Sequence, residues 1–389
     1  NLFLCSIVAL DADTGRYKWH YQTVPGETWD FNSAMDIVSV DFTVHDREVK
    51  ALMHAPKNGF FYIINRANGK LLSAKPFGKV TWATEVDMKS GRPVEVAGAR
   101  YEDGEEEIWP GPVGAHNWQP MSWNPQTGLM YVPYHDLPGY YNDTKIRRAT
   151  WRNRGHRFEA GVEYGGDDIP ADISTGGLMG WDPLTQTAKW RVPIDSYFNA
   201  GTVTTAGNLV FQGRTDGQFV AYRADNGEVL WQFDAKVGIT APPITFALDG
   251  RQYIALPVGF GGGIAMLTGS LGAQHGWPYG VHPRRLLVFA LDGKANLPDT
   301  PPPMMVTPID SPDFEIDATL AEAGKDLWSK TCSWCHGPGA VASGGTPDLR
   351  ASPVIMSLEA MDAVVRQGQR RGRGMPDYPE FSDDELKSL

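Results

Sequence analysis

The segment Ala9-Leu-Asp-Ala-Asp-Thr-Gly-Arg-Tyr-Lys-Trp19 recurs as Ala221-Tyr-Arg-Ala-Asp-Asn-Gly-Glu-Val-Leu-Trp231, with alanine, aspartate, glycine and tryptophan at matching offsets. Gly180-Trp-Asp-Pro-Leu-Thr-Gln-Thr-Ala-Lys-Trp190 fits the same frame, with Gln186 in the glycine place. Partial copies occur at 65–69, 87–91, 124–128 and 292–293. Each full copy sets a polar turn between two apolar runs, which is typical of a β-hairpin. The sequence therefore predicts a repeated antiparallel β structure.

The spacing of the repeats indicates a β-propeller. Trp190 and Trp231 are 41 residues apart, within the ~40–50 residues of a four-stranded blade. One blade can be predicted in full, with its turns at 206–207, 215–217 and 225–227. Its four strands are Thr202–Thr205, Asn208–Gln212, Gln218–Ala224 and Val229–Phe233. The alternative is an antiparallel sandwich whose turns match by coincidence, and the shared terminal tryptophan favours the propeller.

Composition excludes several classes of protein. The chain has 389 residues and a net charge of −11, which is the wrong sign for neutralising nucleic-acid phosphates. Its longest apolar run, from Leu2 to Leu10, is far shorter than the ~20 residues of a membrane helix. The 43 glycines and 29 prolines fit a turn-rich β fold. Because the sequence starts without Met, directly on a strand-like segment, we expect an N-terminal part to be missing.

The β pattern stops near Leu291, and three regions are predicted: a propeller over 1–293, a Pro-rich linker over 294–313 and a helical domain over 314–389. In the last region, Leu320, Ala323, Leu327, Trp328 and Thr331 fall on one helical face after the N-cap Asp317. Further helices are predicted after Ser357 and Ser382. The last of these runs out at Leu389 and is expected to be truncated.

Cys332-Ser-Trp-Cys335-His336 has the C-x-x-C-H spacing of covalent haem attachment. Two thiols at this spacing bind the vinyl groups of one haem, and the next imidazole, from His336, reaches its iron. A zinc half-site would need a second Cys/His pair, and a redox dithiol would need a βαβ context. Cys5 is left over and is predicted to be a small buried apolar residue.

The sixth ligand of the haem iron is predicted to be Met375, in Gly374-Met-Pro376. Met356 and Met361 are the alternatives, but both fit apolar or helix-start positions. Met375 instead follows a Gly- and Arg-rich loop with no evident core to fill. Ligation by histidine and methionine raises the haem potential and suits an electron carrier.

From about Ala318 onward the chain resembles class I cytochrome c. Together with the Trp-ended repeats and the linker, it resembles the quinohaemoprotein alcohol dehydrogenases, which carry pyrroloquinoline quinone and haem c in one chain. The resemblance implies an all-β fold of later blades of an eight-bladed propeller, followed by a small all-α cytochrome c domain. It also implies that the chain is a C-terminal fragment, with a vicinal disulfide and two further calcium ligands, a Glu and an Asn, in the missing part.

The same resemblance implies the quinone site. Asp30, in Gly26-Glu-Thr-Trp-Asp-Phe-Asn32, matches the family's catalytic base and is also expected to bind Ca²⁺, because Asn32 stands where lanthanide-dependent relatives have a second Asp. Lys57 matches the cation that contacts the quinone oxygens. Asn117 and Asn199 match quinone-contacting asparagines. Phe198 and Phe260 stand where relatives often have Trp, and these changes are expected to alter the substrate pocket or its lid.

The function implied is oxidation of a primary alcohol to an aldehyde in the periplasm, with electrons passed from the quinone to the haem. The final acceptor would be an external copper protein, a cytochrome or a membrane quinone system, and a membrane would be involved only through a partner subunit. One alternative is a propeller scaffold without cofactor, fused to a cytochrome c carrier. A second keeps the enzyme class with an aldehyde, a polyol or a polymeric alcohol as substrate.

Overall fold

Antiparallel sheets make up the first three quarters of the chain in the computed structural model. The residues described are 2–44, 47–144, 146–147, 149–151, 161–165, 175–260, 284–299, 306–312, 315–341 and 346–389. The described residues form two compact units. The first contains those between 2 and 146, 162 and 258, and 284 and 297, and the second contains 147, 149–151, 161, 259–260 and those from 298 onward.

Within the part of the chain that the structure describes, three sheets of the first unit have four strands. One contains β3 (Val38–Val44), β4 (Arg47–His54), β5 (Phe60–Asn65) and β6 (Leu71–Pro76). The second, in the order β10-β11-β14-β15, contains Ser122–Asn124, Leu129–Asp136, Thr175–Asp182 and Thr187–Ile194. The third contains β16 (Thr202–Thr205), β17 (Leu209–Gly213), β18 (Gln218–Arg223) and β19 (Val229–Asp234). The four strands predicted between 202 and 233 are therefore confirmed, with ends displaced by one residue.

Smaller sheets complete the unit. The pairs are β1 (Ser6–Leu10) with β2 (Tyr17–Gln22), and β7 (Ala83–Asp87) with β8 (Arg92–Glu95). The three-stranded sheets contain β9 (Glu106–Ile108), β12 (Gly139–Asn142) and β13 (Glu163–Gly165), and β20 (Ile244–Leu248), β21 (Arg251–Val258) and β22 (Arg285–Ala290).

The sequence repeat corresponds to one recurring piece of backbone. In each of the three full copies, the first residue of the repeat lies opposite its tryptophan in the sheet, as Ala9 does opposite Trp19 and Ala221 opposite Trp231. The strand register shifts directly after that first residue in all three copies. A bulge at this point bends the hairpin and increases its twist.

The repeat tryptophans connect neighbouring sheets. Trp19 Nε1 donates a hydrogen bond to the backbone oxygen of Arg66 at 3.2 Å, and Trp190 Nε1 donates to the oxygen of Ala224 at 3.1 Å. In both cases the acceptor lies three residues before the turn glycine of the next repeat, Gly69 or Gly227. In these two copies the repeat therefore connects one sheet to the next.

Apolar residues fill the space between the four-stranded sheets. On β11, Met130 and Val132 pack with residues of β4 and β5, whereas Leu129 and Tyr131 pack with residues of β17 and β18. Because side chains alternate along a strand, β11 is buried on both faces. This face-to-face stacking of sheets is how a propeller buries its blades.

The helices found among the described residues lie in the second unit. They are α1 (Ala318–Thr331), α2 (Ser333–His336), α3 (Leu358–Val365) and α4 (Asp383–Ser388). Short 3₁₀ turns lie at Pro338–Ala340, Leu349–Ala351, Pro353–Met356 and Arg371–Arg373. The predicted N-cap Asp317 and the helices predicted after Ser357 and Ser382 are confirmed. Both serines are N-caps, and Ser382 forms a capping box with Glu385.

One detail of the predicted helical face is wrong. Ala323 is exposed, and its neighbour Gly324 is buried. A Cβ on Gly324 would lie 1.8 Å from the backbone oxygen of Ser388, so α1 and α4 approach at a position that only glycine permits. Helical periodicity identified the face to within one residue but could not show which residue lies at the helix crossing.

The predicted linker contains no helix or strand among its described residues, 294–299 and 306–312. The boundary between the two compact units, at Leu297, lies within the predicted linker. Among the described residues, no helix is long and apolar enough to cross a membrane.

Candidate functional site

The loop before β3 presents Asp30 outward between two buried aromatic residues. Trp29 and Phe31 are fully buried and stack with ring centroids 5.5 Å apart. Glu27 Oε1 accepts hydrogen bonds from the backbone N–H groups of both residues, at 2.6 and 2.8 Å. Asp30 adopts a φ of +65°, a left-handed conformation that is uncommon for a residue other than glycine. The loop therefore fixes the direction of one carboxylate.

Lys57 reaches this carboxylate from the turn between β4 and β5. Its Nζ lies 2.9 Å from the backbone oxygen of Asp30 and 3.1 Å from Asp30 Oδ2. The Lys57 side chain is 8% exposed and that of Asp30 49%, so a buried cation holds a half-open carboxylate. Asn32 Nδ2 donates to the other carboxylate oxygen, Asp30 Oδ1, at 2.8 Å.

The loop at 113–120 covers the stem of Lys57. A Cβ on Gly114 would lie 2.4 Å from Lys57 Cγ, and the Ala115 N–H donates to the Lys57 backbone oxygen at 3.0 Å. Gly114 is required here both by this close approach and by its φ of +85°. Gly114 thus lets the loop pack against the Lys57 stem, while the Lys57 ammonium group contacts Asp30.

Asn117, in the same loop, is partly buried and bonded within the loop. Its Nδ2 donates to the Val113 oxygen at 2.8 Å, and its Oδ1 accepts from the Trp118 N–H at 2.8 Å. An amide has two N–H donors and two acceptor lone pairs, so each end of Asn117 keeps capacity for one more partner. The contact of Asn117 with a quinone stays a prediction.

Asn199 lies before β16 and is buried. Its Oδ1 accepts from Ser196 Oγ at 3.0 Å and from the Thr215 N–H at 3.1 Å, and its Nδ2 donates to the Ser196 oxygen at 2.8 Å. These bonds tie together two loops of its own sheet. Phe198, in the expected Trp position, is buried with its ring 5.0 Å from that of His135.

The predicted quinone-site residues are therefore brought together to different degrees. Asp30 and Lys57 are in direct contact, and Asn117 lies on the loop that covers Lys57. Asn199 is connected to that loop only indirectly, through its neighbour Phe198. The Phe198 ring contacts His135, whose backbone N–H donates to the Ala115 backbone oxygen at 2.8 Å. Phe260 is buried, at the edge of the described residues.

Two residues of the site were missed by the sequence analysis. Glu27 was quoted only as part of the Asp30 segment, although it is the acceptor that shapes the loop. Cys5 is buried, as predicted, but it also lies close to the site. Burial raises the pKa of its thiol to about 12, and the nearby Glu27 and Asp30 carboxylates add to the effect. No signal in the sequence connects Cys5 with residues more than twenty positions away.

The C-x-x-C-H segment lies at the end of α1 and in α2. His336 is buried, and its Nδ1 lies 3.1 Å from the backbone oxygen of Pro347. Burial lowers the pKa of the His336 imidazole, which favours the neutral form that binds iron. A bond at Nδ1 orients the ring and leaves Nε2 as the ligand atom. Cys332 and Cys335 precede it by four and one residues, so the donor set fits covalent haem c.

Met375 packs against the core of the helical unit, contrary to the expectation that it has no core to fill. Both Met375 and Met361 lie partly buried on the cluster of Val365, Tyr378, Phe381 and Leu386. Met356 ends a 3₁₀ turn. Packing alone therefore does not distinguish Met375 from Met361, and the sixth ligand stays a prediction.

A calcium site is not evident from protein donors alone. Within the described residues, no three His, Cys, Asp or Glu side chains converge on a common point. Calcium binds readily to carboxylate and amide oxygens, and Asp30 with Asn32 supplies both kinds. The role of Asp30 as a calcium ligand stays a prediction.

Comparison with known proteins agrees with both halves of this description. The family described as "Glucose/ethanol/alcohol dehydrogenase, beta-propeller domain" matches residues 1–75 and 172–254. The family described as "Cytochrome C oxidase, cbb3-type, subunit III" matches residues 319–389. The fold class predicted from the sequence, a quinoprotein-type propeller followed by a cytochrome c domain, is confirmed.

Relatives align with the whole chain. Quinohemoprotein alcohol dehydrogenase ADH IIB of Pseudomonas putida is 47% identical over 391 residues, covering 100% of this chain and 54% of the relative. The solved structure of ADHIIG from Pseudomonas putida HK5 superposes with a TM-score of 0.88 at 40% identity, covering 100% of this chain and 57% of that one. The structure of the quinohemoprotein alcohol dehydrogenase from Comamonas testosteroni superposes with a TM-score of 0.83 at 37% identity, with the same coverage of both chains. The chain spans about half the length of the curated relatives it matches.

Proposed function

Because the chain is a homologue of the quinohemoprotein alcohol dehydrogenases along its whole length, we propose that it oxidises a primary alcohol to the aldehyde. The observation that carries this proposal is the contact of Lys57 with Asp30. The family resemblance gives these two residues the roles of cation and base, and a scaffold would have no need to bury a lysine against an exposed carboxylate. The predicted regions, 1–293, 294–313 and 314–389, would form the quinone-binding propeller, the linker and the cytochrome c domain.

Asp30 is the proposed general base. Lys57 and Asn32 each bond one of its carboxylate oxygens, so the carboxylate has a fixed orientation. Its half-open position lets a small alcohol approach within hydrogen-bond reach, which is the first requirement for proton abstraction. Glu27 supports this geometry by holding the flanking backbone.

Lys57 is the proposed electrostatic partner of the cofactor. An ammonium group has three donors, and two of them are directed at Asp30, which leaves one for a quinone oxygen. Pyrroloquinoline quinone, when bound, supplies the electron acceptor for the alcohol, and haem c carries single electrons onward. A fixed donor aimed at an oxygen that gains negative charge contributes more than a mobile one, because it need not reorganise during the reaction. Asn117 and Asn199 would contact the same cofactor.

Calcium and haem are the proposed metal groups. Asp30 would contribute one oxygen ligand to Ca²⁺. Cys332 and Cys335 would bind haem c covalently, and His336 Nε2 and Met375 would be the protein ligands of its iron. Because covalent haem c is assembled outside the cytoplasm, the proposed location is the periplasm. An external copper protein, cytochrome or quinone system would accept the electrons.

Replacement of Asp30 tests the proposal. In the holoprotein, Asp30→Asn keeps the side-chain shape and removes the base, so we expect kcat for ethanol and 1-butanol to fall by ~10²–10⁴-fold. The matched control is Asp41→Asn, because Asp41 is 46% exposed and also pairs with a cation, Arg66, at 2.7 Å. The control should change kcat less than about twofold, as expected of an exposed ion pair. Wild-type turnover by Asp30→Asn, with unchanged quinone content, would refute the assignment.

A further inference from the structure

His116 is bonded at both ring nitrogens to groups that only accept hydrogen bonds. The residue is fully buried. Its Nδ1 lies 2.6 Å from the backbone oxygen of Ala55, and its Nε2 lies 2.7 Å from the backbone oxygen of Gln119. A neutral imidazole has one N–H donor and one lone pair. In the neutral form, one of these two short contacts would set a nitrogen lone pair against a carbonyl oxygen.

We infer that His116 is a buried imidazolium cation, balanced by Asp36, and that it is a positioning residue joining the loop of Lys57 to the loop of Asn117. Ala55 precedes Lys57 by two residues, and Gln119 follows Asn117 by two. One charged ring therefore connects the two segments that the proposed function places against the quinone. Hydrogen bonds from a charged donor are roughly twice as strong as neutral ones, which suits a connection between two loops.

Two further buried histidines, His54 and His135, lie near His116. Burial lowers the pKa of His54 to about 4 and that of His135 to about 3, and the His116 charge adds to both effects. These neighbours on β4 and β11 are therefore neutral near pH 7. Lys57 also lies close enough to lower the pKa of His135. The titratable groups near His116 are thus two neutral histidines and the carboxyl of Asp36.

Asp36 is the counter-charge. The pKa of its carboxyl is raised by burial, and a positive charge on His116 offsets only part of that rise. Its Oδ2 accepts from the Met121 N–H at 3.0 Å, and its Oδ1 has no hydrogen-bond partner among the described residues. A buried cation needs compensation, and this carboxylate lies in the same cluster. A neutral pair, with the proton on Asp36, would restore the unfavourable contact at one nitrogen of His116.

The charge itself can be measured without any quinone. Uniform ¹⁵N labelling of histidine in the quinone-free protein with reduced haem, with assignment by loss of signals in His116→Gln, reports the state of each ring nitrogen. At pH 7.5 we expect both His116 nitrogens to be protonated, and His54 and His135 to give neutral signals. A neutral tautomer for His116 at this pH would overturn the inference.

The positioning role is tested by quinone affinity, and this part rests on the proposed function. His116→Gln retains a donor toward Gln119 and loses the bond to Ala55, and Asp36→Asn removes the counter-charge while keeping the shape. We expect each to raise the Kd for pyrroloquinoline quinone at least tenfold. The control is His54→Asn, which removes a neutral buried imidazole but keeps a donor toward the Asp36 backbone oxygen and should change the Kd less than twofold.

The outcomes separate the two proposals. Wild-type affinity in both folded variants, with folding checked by thermal denaturation, would overturn the positioning role. If the quinone-free, haem-loaded wild-type protein binds no added quinone, the proposed function fails, and the ¹⁵N spectrum still decides the charge of His116.

Discussion

The ring of Trp190 occupies the space that a Cβ on Gly227 would need, with Trp190 Cε3 only 2.6 Å from the position of that atom. The same distance, also 2.6 Å, separates Trp19 Cε3 from a Cβ on Gly69. The tryptophan and the glycine of successive repeats are thus complementary surfaces between sheets. This explains why the two residue types recur at fixed offsets in the sequence.

Substitution of Gly227 by Ala is expected to destabilise the fold by about 2–5 kcal/mol. The left-handed φ of +77° costs a residue with a Cβ ~1–2 kcal/mol, and overpacking against the ring adds ~1–3 kcal/mol. The matched control is Gly128→Ala, which has a φ of +67° but no atom within 4 Å of the added Cβ. The stability of Gly128→Ala should fall only by the ~1–2 kcal/mol that the left-handed backbone conformation costs. Urea denaturation measures both, and equal losses would contradict the docking role of Trp190.

Substitution of Lys57 by Met should abolish most activity of the holoprotein. Removing a fixed donor from a site where charge develops reduces kcat by ~10²–10³-fold. The control is Lys18→Met, because Lys18 forms a 3.0 Å ion pair with Asp11 but is 56% exposed. In steady-state kinetics with a dye as electron acceptor, the kcat of Lys18→Met should lie within about twofold of the wild-type value. A Lys57→Met enzyme of normal kcat would show that this cation is not part of the reaction.

The stability of the protein should fall below pH 6.5 because His54 and His135 are buried. Their pKa values of about 4 and about 3 in the folded protein lie below the ~6.5 of an unfolded histidine. The unfolded chain therefore binds protons first as the pH falls, so this contribution is complete above pH 6.5. It is lost at about 1.4 kcal/mol per pH unit for each histidine.

Two variants separate this effect from general acid denaturation. His54→Asn should flatten the decline of stability between pH 6.5 and 4, measured by urea denaturation at each pH. His20→Asn, on the partly exposed strand β2, should leave the slope unchanged. An unaltered slope in His54→Asn would show that His54 does not contribute to it.

Cys5 should be unreactive in the folded protein. Its pKa of about 12, set first by burial and then by Glu27 and Asp30, leaves almost no thiolate at pH 8, and the thiolate is the reactive form. Iodoacetamide followed by mass spectrometry should label Cys5 in urea and not under native conditions. Equally fast labelling in both would contradict the position of Cys5 in the core.

Met375→Leu should lower the reduction potential of the haem, because a methionine ligand raises it. Met361→Leu is a matched control, since both side chains lie on the same apolar cluster and their loss should affect packing similarly. Spectroelectrochemical titration distinguishes them. A lowered potential in Met361→Leu alone would transfer the ligand assignment to Met361.

The features that were predictable from the sequence are those determined by neighbours along the chain. The turn residues between 202 and 233 predict the four strands that they separate. The C-x-x-C-H segment predicts haem attachment from the spacing of its own residues. Asp317 caps α1 because the side chain and the helix N-terminus are adjacent. Local patterns of this kind need no tertiary information.

The features that the sequence did not predict depend on contacts between residues far apart in the chain. Ala55 and His116 are 61 residues apart, and nothing in either segment indicates that they meet. Lys57 and Asp30 were paired only through the family resemblance. Glu27 is within the quoted segment, but its role appears only once the aromatic residues on both sides of Asp30 are buried.

We propose that one chain couples alcohol oxidation at Asp30 and Lys57 to the haem on His336. The most direct test is the visible spectrum of the oxidised, anaerobic holoprotein with calcium and pyrroloquinoline quinone, before and after ethanol is added. We expect the reduced haem c bands to grow in wild type, and not in Asp30→Asn. A haem that dithionite reduces but no primary alcohol reduces, in a protein with full quinone content, would contradict it.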